Sequence, residues 1–289
     1  MMKTCIYGVD TSTSKGGSSI GYYITVEENV NIYVEDLNPG GNCKTILFLH
    51  GWPANHKMFE YQFNQLPGLG YRCIGIDHRG FGKSDKPWWG YNYDRMADDV
   101  RVVIDTLQLE NVILAGHSMG GAIAVRYMAR HDGHQISKLA LFGAAAPSFT
   151  QRPENPYGKT IEEVNQMIKD SYTNRPQMLE GFGDHFFARY MTESFKTWFQ
   201  SLGLEASGHA TAMALVALRD EDLRQDLPKI NVPTAIFHGK QDKVCPYVFG
   251  ELMHVAIKGS ELIPFYLSGH GLFYCEMKKF NRELVRFIG

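Results

Sequence analysis

The amino-acid sequence predicts a mostly parallel, doubly wound α/β sheet of about eight strands, with a helical segment inserted after the sixth strand. Two observations lead to this fold class. Short apolar runs of strand length alternate with amphipathic patterns of helical period along most of the chain. Glycine-rich segments follow those runs, where a parallel strand turns into its crossover helix. Because ligands of such sheets bind at the carboxyl ends of the strands, we expect the functional residues in these segments.

The first part of the chain predicts an edge hairpin followed by two buried strands. Residues 1–20 are polar and lack periodicity, which predicts an irregular extension. Apolar and polar residues alternate over 22–26 and 30–37, as they do in an antiparallel hairpin. The apolar runs 45–49 and 71–76 are typical of strands that are buried on both faces.

The middle and the end of the chain continue this alternation on either side of an insertion. Apolar strands are predicted at 112–115, 136–143, 234–237 and 261–267, with amphipathic helices between and after them. Residues 147–226 differ, because they hold no strand-like run and their short helical segments are broken by proline and glycine. We therefore predict a helical cap over this range, with a core built from the segments that precede and follow it, 21–146 and 227–289.

Composition excludes several classes of function. The 289 residues are 44% hydrophobic, and 29 basic and 31 acidic side chains are mixed along the chain, so no stripe of charge points to nucleic acid. No apolar run has the length of a membrane span, and the start of the chain does not resemble a signal peptide. Five scattered cysteines without a Cys-x-x-Cys pair indicate a cytoplasmic protein. We predict no metal and no cofactor, and leave a homo-oligomer open.

A serine on a sharp turn is the first candidate for chemistry. Gly116, Ser118 and Gly120 form a Gly-x-Ser-x-Gly motif between an apolar run and a helical pattern. Such a turn strains the serine backbone, and the glycines let strand and helix approach closely. The hydroxyl then projects above the sheet, which is the position of a nucleophile. The alternative is an ordinary glycine-rich turn between a strand and its helix.

A serine nucleophile needs a base that is oriented by an acid. His270 is the best-placed histidine, because it follows the last predicted strand in Ser-Gly-His-Gly; the alternative is a histidine in a surface turn. The acid is expected between serine and histidine in chain order, and Asp242 follows a strand in that interval. Asp77 also ends a strand, but Asp-His-Arg-Gly is better explained as a turn held by its own aspartate and arginine.

An oxyanion requires two hydrogen-bond donors. The first is the backbone N–H after the nucleophile, that of Met119. The second is expected from His-Gly-Trp-Pro at 50–53, the loop after the first central strand. Since Pro53 has no N–H, Trp52 is the predicted donor.

These residues belong to longer motifs. His-Gly-Trp-Pro stands at 50–53, Asp-His-Arg-Gly-Phe-Gly-Lys-Ser-Asp-Lys-Pro-Trp at 77–88, and Gly-His-Ser-Met-Gly-Gly at 116–121. Tyr-Asp-Arg-Met-Ala-Asp-Asp at 93–99 and His-Gly-x-x-Asp-x-x-x-Pro at 238–246 complete the set. From about Val30 onward the chain resembles the α/β-hydrolases, specifically the bacterial branch of small carboxylesterases and cofactor-free haloperoxidases, or perhydrolases.

That resemblance implies a triad of Ser118, Asp242 and His270, with Trp52 and Met119 forming the oxyanion hole. It also implies a helical cap over the core and an apolar acyl pocket between the two. The likeness weakens over residues 181–203, and residues 1–20 have no counterpart in the family.

Pocket residues are expected near the strand ends, and we predict Trp52, Phe149, Val244 and Tyr247 as substrate-binding residues. The second half of the cap is rich in aromatic side chains that form either the core of the cap or the wall of the pocket: Phe186, Phe187, Tyr190, Phe195, Trp198 and Phe199.

The leading hypothesis is a serine esterase that cleaves small carboxylic esters or lactones through an acyl-enzyme. The alternative is perhydrolysis, which uses the same triad to make peracids from a carboxylic acid and hydrogen peroxide. Pro53 favours it, because proline restricts the Trp52 backbone and so the position of its carbonyl. Epoxide hydrolases and dehalogenases are disfavoured, since they carry an aspartate where Ser118 stands. Hydrolysis of other acyl or C–C bonds, and a non-catalytic protein on a hydrolase fold, are the remaining alternatives.

Overall fold

One eight-stranded sheet organises the chain. The computed structural model describes residues 19–40 and 44–289. The strands of the sheet, in chain order, are β1 (Ser19–Glu27), β2 (Val30–Leu37), β3 (Thr45–Leu49), β4 (Arg72–Ile76), β5 (Val112–His117), β6 (Ile136–Phe142), β7 (Thr234–Gly239) and β8 (Glu261–Phe265).

The strands lie in the order β1-β2-β4-β3-β5-β6-β7-β8. From β4 to β8 every pairing is parallel, whereas β1 pairs antiparallel with β2, and β2 antiparallel with β4. The prediction of a mostly parallel sheet with an edge hairpin is confirmed. The carboxyl ends of β3 and β5–β8 consequently meet along one edge.

Helices cover both faces of this sheet. They are α1 (Glu60–Phe63), α2 (Tyr93–Thr106), α3 (Met119–Arg130), α4 (Ile161–Thr173), α5 (Arg175–Phe186), α6 (Glu193–Leu204), α7 (Gly208–Asp220), α8 (Val248–Ala256), α9 (Leu272–Cys275) and α10 (Met277–Ile288). No described helix has the length and apolar character that crossing a membrane requires.

Two buried clusters, one on each face of the sheet, form the core. Along β3, Leu47 and Leu49 belong to one cluster, whereas Ile46 and Phe48 belong to the other. Because successive side chains of a strand point to opposite faces, a strand that is apolar at every position contributes to both clusters. This explains why the central strands have continuous rather than alternating apolar sequences.

The helices α4–α7 all lie between β6 and β7, in the part of the chain where the sequence predicts a cap. The boundaries of that cap at 147 and 226 stay a prediction.

At the start of the chain, the prediction that 1–20 is irregular is wrong for its last two residues. Ser19 and Ile20 pair with Leu37 and Asp36 in the edge hairpin. They show no alternation because this end of an edge strand is exposed on both faces; residues 1–18 lie outside the described residues.

Candidate active site

Ser118 lies between β5 and α3 with a strained backbone. Its φ is 53° and its ψ is −117°, a conformation that side-chain-bearing residues rarely adopt. The flanking glycines are required by contact: a Cβ on Gly116 would lie 2.4 Å from the carbonyl oxygen of Gly120, and a Cβ on Gly120 would lie 2.2 Å from that of Leu49. The turn therefore has the close strand-to-helix approach that the motif predicts.

His270 and Asp242 form a buried pair. His270 Nδ1 lies 2.7 Å from Asp242 Oδ2, and neither side chain is exposed to solvent. The other ring nitrogen, Nε2, is buried and has no hydrogen-bond partner among the described residues. Since Nδ1–H donates to the carboxylate, Nε2 carries the lone pair and can accept a proton. The alternative of an exposed surface histidine is wrong.

The loop after β7 fixes the orientation of Asp242. Its Oδ1 accepts hydrogen bonds from the backbone N–H groups of Val244 and Cys245, at 2.8 and 2.9 Å. Gly143, at the end of β6, closes over the pair: a Cβ there would lie 3.3 Å from both Asp242 Oδ2 and His270 Nδ1. These contacts orient the carboxylate so that Oδ2 faces the imidazole of His270.

Asp77, the other carboxylate at a strand end, serves a different loop. Its Oδ1 accepts from the N–H and from Nδ1 of His56, and its Oδ2 accepts from the N–H of Lys83. Lys83 lies in the same turn, so Asp77 does hold that turn together. Arg79 instead donates to Asp99 in α2, at 2.7 Å, and both side chains are buried.

Cys245 links the serine to the acid. Its N–H bonds to Asp242, and burial raises the pKa of its thiol well above the usual range, an effect that the nearby Ser118 partly offsets. The thiol therefore stays protonated at neutral pH and contributes no thiolate nucleophile. Sequence reasoning did not single out this contact, because it joins residues on two strand ends.

The predicted oxyanion donors lie in the 50–53 loop, for Trp52, and at the start of α3, for Met119. A Cβ on Gly51 would lie 3.0 Å from Ser118 Cβ, so the 50–53 loop runs directly against the serine. The indole of Trp52 is held from the cap, with Nε1 donating to the carbonyl of Thr211 at 2.9 Å. Among the hydrogen bonds of residues 19–40 and 44–289, none uses the N–H of Trp52 or Met119. Both groups are available to an oxyanion.

The four predicted pocket residues do not share one environment. Trp52, Phe149 and Val244 are buried in the same apolar cluster as Met119. The ring of Tyr247 instead lies 3.5 Å from Lys240 Nζ and packs against His238. A pocket role for each of the four stays a prediction.

The helix α5 contributes contacts that the sequence did not reveal. Phe182 meets the Trp52 indole edge to face at 5.0 Å, and Phe186 meets the His270 imidazole in the same way at 5.1 Å. The carbonyl of Phe186 also accepts from the N–H of Gly271, at 3.0 Å. Phe182 stands between two glycines, which is a weak signal without the fold. The cap therefore touches the predicted base and the predicted oxyanion loop directly.

Two further histidines beside this pair are neutral. Burial lowers the pKa of both His117 and His238 below the usual value. His238 Nε2 lies 2.8 Å from the carbonyl of Cys245, which makes it a donor, and 3.7 Å from Asp242. His117 Nε2 lies 3.1 Å from the carbonyl of His270.

In the described parts of the chain, no group of three or more histidine, cysteine, aspartate or glutamate side chains lies close enough together to hold a metal ion. The neighbouring His131 and His134 are bound to separate carboxylates, those of Asp98 and Asp105, at 3.0 and 2.9 Å. The two histidines therefore connect neighbouring helices and do not converge on one metal ion.

Comparison with known proteins shows the family of this chain. The sequence profile of the alpha/beta hydrolase fold family matches residues 44–275. An AB hydrolase superfamily protein of Bacillus subtilis, YisY, is 53% identical over 268 residues, which cover 93% of this chain and 99% of that protein.

Two solved structures are also similar over nearly their whole length. An esterase from Exiguobacterium antarcticum is 51% identical with a TM-score of 0.90, and a bromoperoxidase from Bacillus anthracis is 33% identical with a TM-score of 0.88. In both comparisons 93% of this chain and 99% of the other chain are covered. From the profile match and these identities, the chain belongs to the α/β-hydrolase family.

Proposed function

We propose that this hydrolase is a serine esterase that cleaves small carboxylic esters or lactones through an acyl-enzyme on Ser118. The observation that carries the proposal is the buried Asp242–His270 pair, whose Nε2 has no partner among the described residues, on the sheet edge where Ser118 occupies a strained turn. The similarity to the Exiguobacterium antarcticum esterase supports the same reaction.

The first half of the reaction transfers the acyl group to the enzyme. Ser118 Oγ attacks the ester carbonyl carbon while its proton passes to His270 Nε2. The N–H groups of Trp52 and Met119 donate to the oxyanion that forms. The bond from carbon to the alcohol oxygen then breaks, and His270 returns its proton to the leaving alkoxide.

The second half repeats these steps with water. His270 removes a proton from water, the resulting hydroxide adds to the acyl carbon, and the bond to Ser118 Oγ breaks with return of the proton. Asp242 stabilises the imidazolium that forms in each half, and it does not itself become protonated. The apolar side chains of Trp52, Phe149 and Val244 provide the surface for the acyl group.

Replacement of Ser118 by alanine tests the assignment. We expect S118A to lose p-nitrophenyl acetate hydrolysis and labelling by a fluorophosphonate. The matched control is S171A, since Ser171 is also a buried serine but donates to a carbonyl within α4. S171A should retain both activities. Labelling of S118A at the wild-type rate would contradict the proposal.

Perhydrolysis is the second candidate, favoured by the similarity to the Bacillus anthracis bromoperoxidase. Here hydrogen peroxide replaces water, and attack on the acyl-enzyme releases a peracid and free Ser118. Bromination of monochlorodimedone in acetate, peroxide and bromide, where the peracid oxidises bromide to the brominating species, would establish this activity if it is lost in S118A. No bromination by an enzyme that hydrolyses esters would exclude it.

We keep a cytoplasmic location within the proposal, in line with the free, buried thiols of Cys73, Cys245 and Cys275.

A further inference from the structure

His117 lies between two loops whose relative position matters for the proposed reaction: the loop that carries His270 and the 50–53 loop that carries Trp52. It is the last residue of β5, immediately before Ser118, and it is fully buried. Its ring centroid lies 4.5 Å from that of His270. The rings of Phe186 and Phe273 close on it edge to face, at 5.7 and 5.0 Å.

One nitrogen of His117 is bonded to the loop of the base. Nε2 lies 3.1 Å from the carbonyl oxygen of His270, and a carbonyl only accepts, so this nitrogen carries the proton. Burial lowers the pKa of His117 well below its usual value, which keeps the ring in this neutral form. The bond therefore has one direction at every pH near neutrality.

The other nitrogen lies against the oxyanion loop. A Cβ on Gly51 would lie 2.6 Å from His117 Nδ1, so nothing larger than glycine fits there. Nδ1 is buried and has no hydrogen-bond partner in the described part of the chain. The imidazole thus fills the gap from Gly51, which precedes the Trp52 donor, to the backbone of His270.

We propose that His117 is a positioning residue, which sets the distance and orientation of the His270 imidazole relative to Ser118 and the oxyanion loop. It touches neither substrate nor the transferred proton. The proposal rests on the proposed serine-hydrolase function, because it assigns a partner to the base of that reaction. The Nε2–H donates the hydrogen bond to the His270 loop, and the rest of the ring packs against Gly51.

Three substitutions separate the hydrogen bond from the volume of the ring. His117→Gln places an amide N–H near the position of Nε2 and keeps the donor. His117→Phe keeps a ring but leaves the His270 carbonyl without a donor. His117→Asn has the same chemistry as glutamine but is one methylene too short to reach the carbonyl, and it serves if the phenylalanine variant does not fold.

The measurement is the separation of kcat from KM on p-nitrophenyl acetate, together with the rate of fluorophosphonate labelling. We expect H117F and H117N to lower kcat and the labelling rate by about ten- to a hundredfold, because small displacements of a reacting group have effects of that order. KM should change less than twofold. H117Q should retain at least half of the wild-type kcat.

Tyr127→Phe is the matched control. Tyr127 is also fully buried, and its hydroxyl donates to a backbone carbonyl, that of His134, but in the last turn of α3. Y127F should lose stability and keep kcat. A wild-type kcat in both H117F and H117N, or an equal fall in H117Q and H117N, would overturn the proposal. If the wild type itself is not labelled at Ser118, the proposed function fails first, and the role of His117 fails with it.

Discussion

Replacing Asp242 by asparagine tests the hydrogen-bond network around His270 more sharply than deletion of the side chain. The substitution keeps the shape of the carboxylate but turns one oxygen into a donor. Oδ1 accepts from two backbone N–H groups, those of Val244 and Cys245, so the amide oxygen of asparagine is expected to stay there. The amide NH₂ then faces His270 Nδ1.

An NH₂ group at this place reverses the imidazole tautomer. Nδ1, 2.7 Å away in the wild type, has to accept rather than donate, and the ring proton moves to Nε2. A protonated Nε2 cannot take the proton of Ser118. Rotating the amide would restore the reactive tautomer, but it would set a donor against two buried N–H donors, at about 1–3 kcal/mol for each.

The expected loss follows from this tautomer. We expect kcat of D242N to fall by about 10⁴, which corresponds to about 5 kcal/mol of transition-state stabilisation. Initial rates of p-nitrophenyl acetate hydrolysis measure it, and ¹⁵N shifts of the histidine ring report which nitrogen is protonated.

The control for D242N is D36N. Asp36 is also a buried carboxylate, but it accepts from Arg72 at the edge of the sheet, at 3.0 Å from Nε. Its replacement should lower the free energy of unfolding and leave kcat unchanged. A D242N enzyme with more than a tenth of the wild-type kcat would refute the argument from the tautomer.

Two further predictions follow from packing and burial. Gly271→Ala should lower kcat about tenfold, because the new Cβ would lie 2.7 Å from the Phe186 ring and displace the His270 loop. The control is Gly183→Ala, where a Cβ meets nothing within 4 Å, and it should be as active as the wild type in the same assay. An equal fall of kcat in both variants would refute the clash. His50 should make the fold acid-sensitive, since burial lowers its pKa to about 4 while the unfolded chain binds the proton near 6.5. The stability that neutral His50 contributes is complete above pH 6.5 and is lost as the pH falls, by about 3 kcal/mol at pH 4. Urea unfolding of the wild type and H50Q should diverge between pH 7 and 5, and parallel curves would contradict this.

Much of the fold was accessible from local patterns. Strand length, glycine-rich turns and the change of pattern between β6 and β7 are properties of neighbouring residues, and they predicted eight strands and their parallel arrangement. The exception was the start of β1, where Ser19 and Ile20 pair with β2 without an alternating sequence, since neither face of this end is buried.

The candidate site was accessible in part for a topological reason. In a parallel sheet every loop after a strand reaches the same edge, so Ser118, Asp242 and His270 could be expected near one another before any distance was known. Their catalytic roles stay a prediction. The structure adds the contact of 2.7 Å between Asp242 and His270 and the hydrogen bonds that orient Asp242.

By itself, the sequence determined the sheet, the serine turn and the order of the candidate nucleophile, acid and base. Only the tertiary structure decided which hydrogen bonds hold the loops around these residues in position. The Trp52 indole bonds to Thr211, 159 positions away, and the His117 imidazole bonds to His270 across 153 positions. Such pairs have no local signature, because their partners are far apart in the chain: the first forms where the cap packs on the core, and the second where the sheet brings two loops together. The serine turn is encoded by the residues beside it, whereas the alignment of the base depends on residues brought from half the chain away.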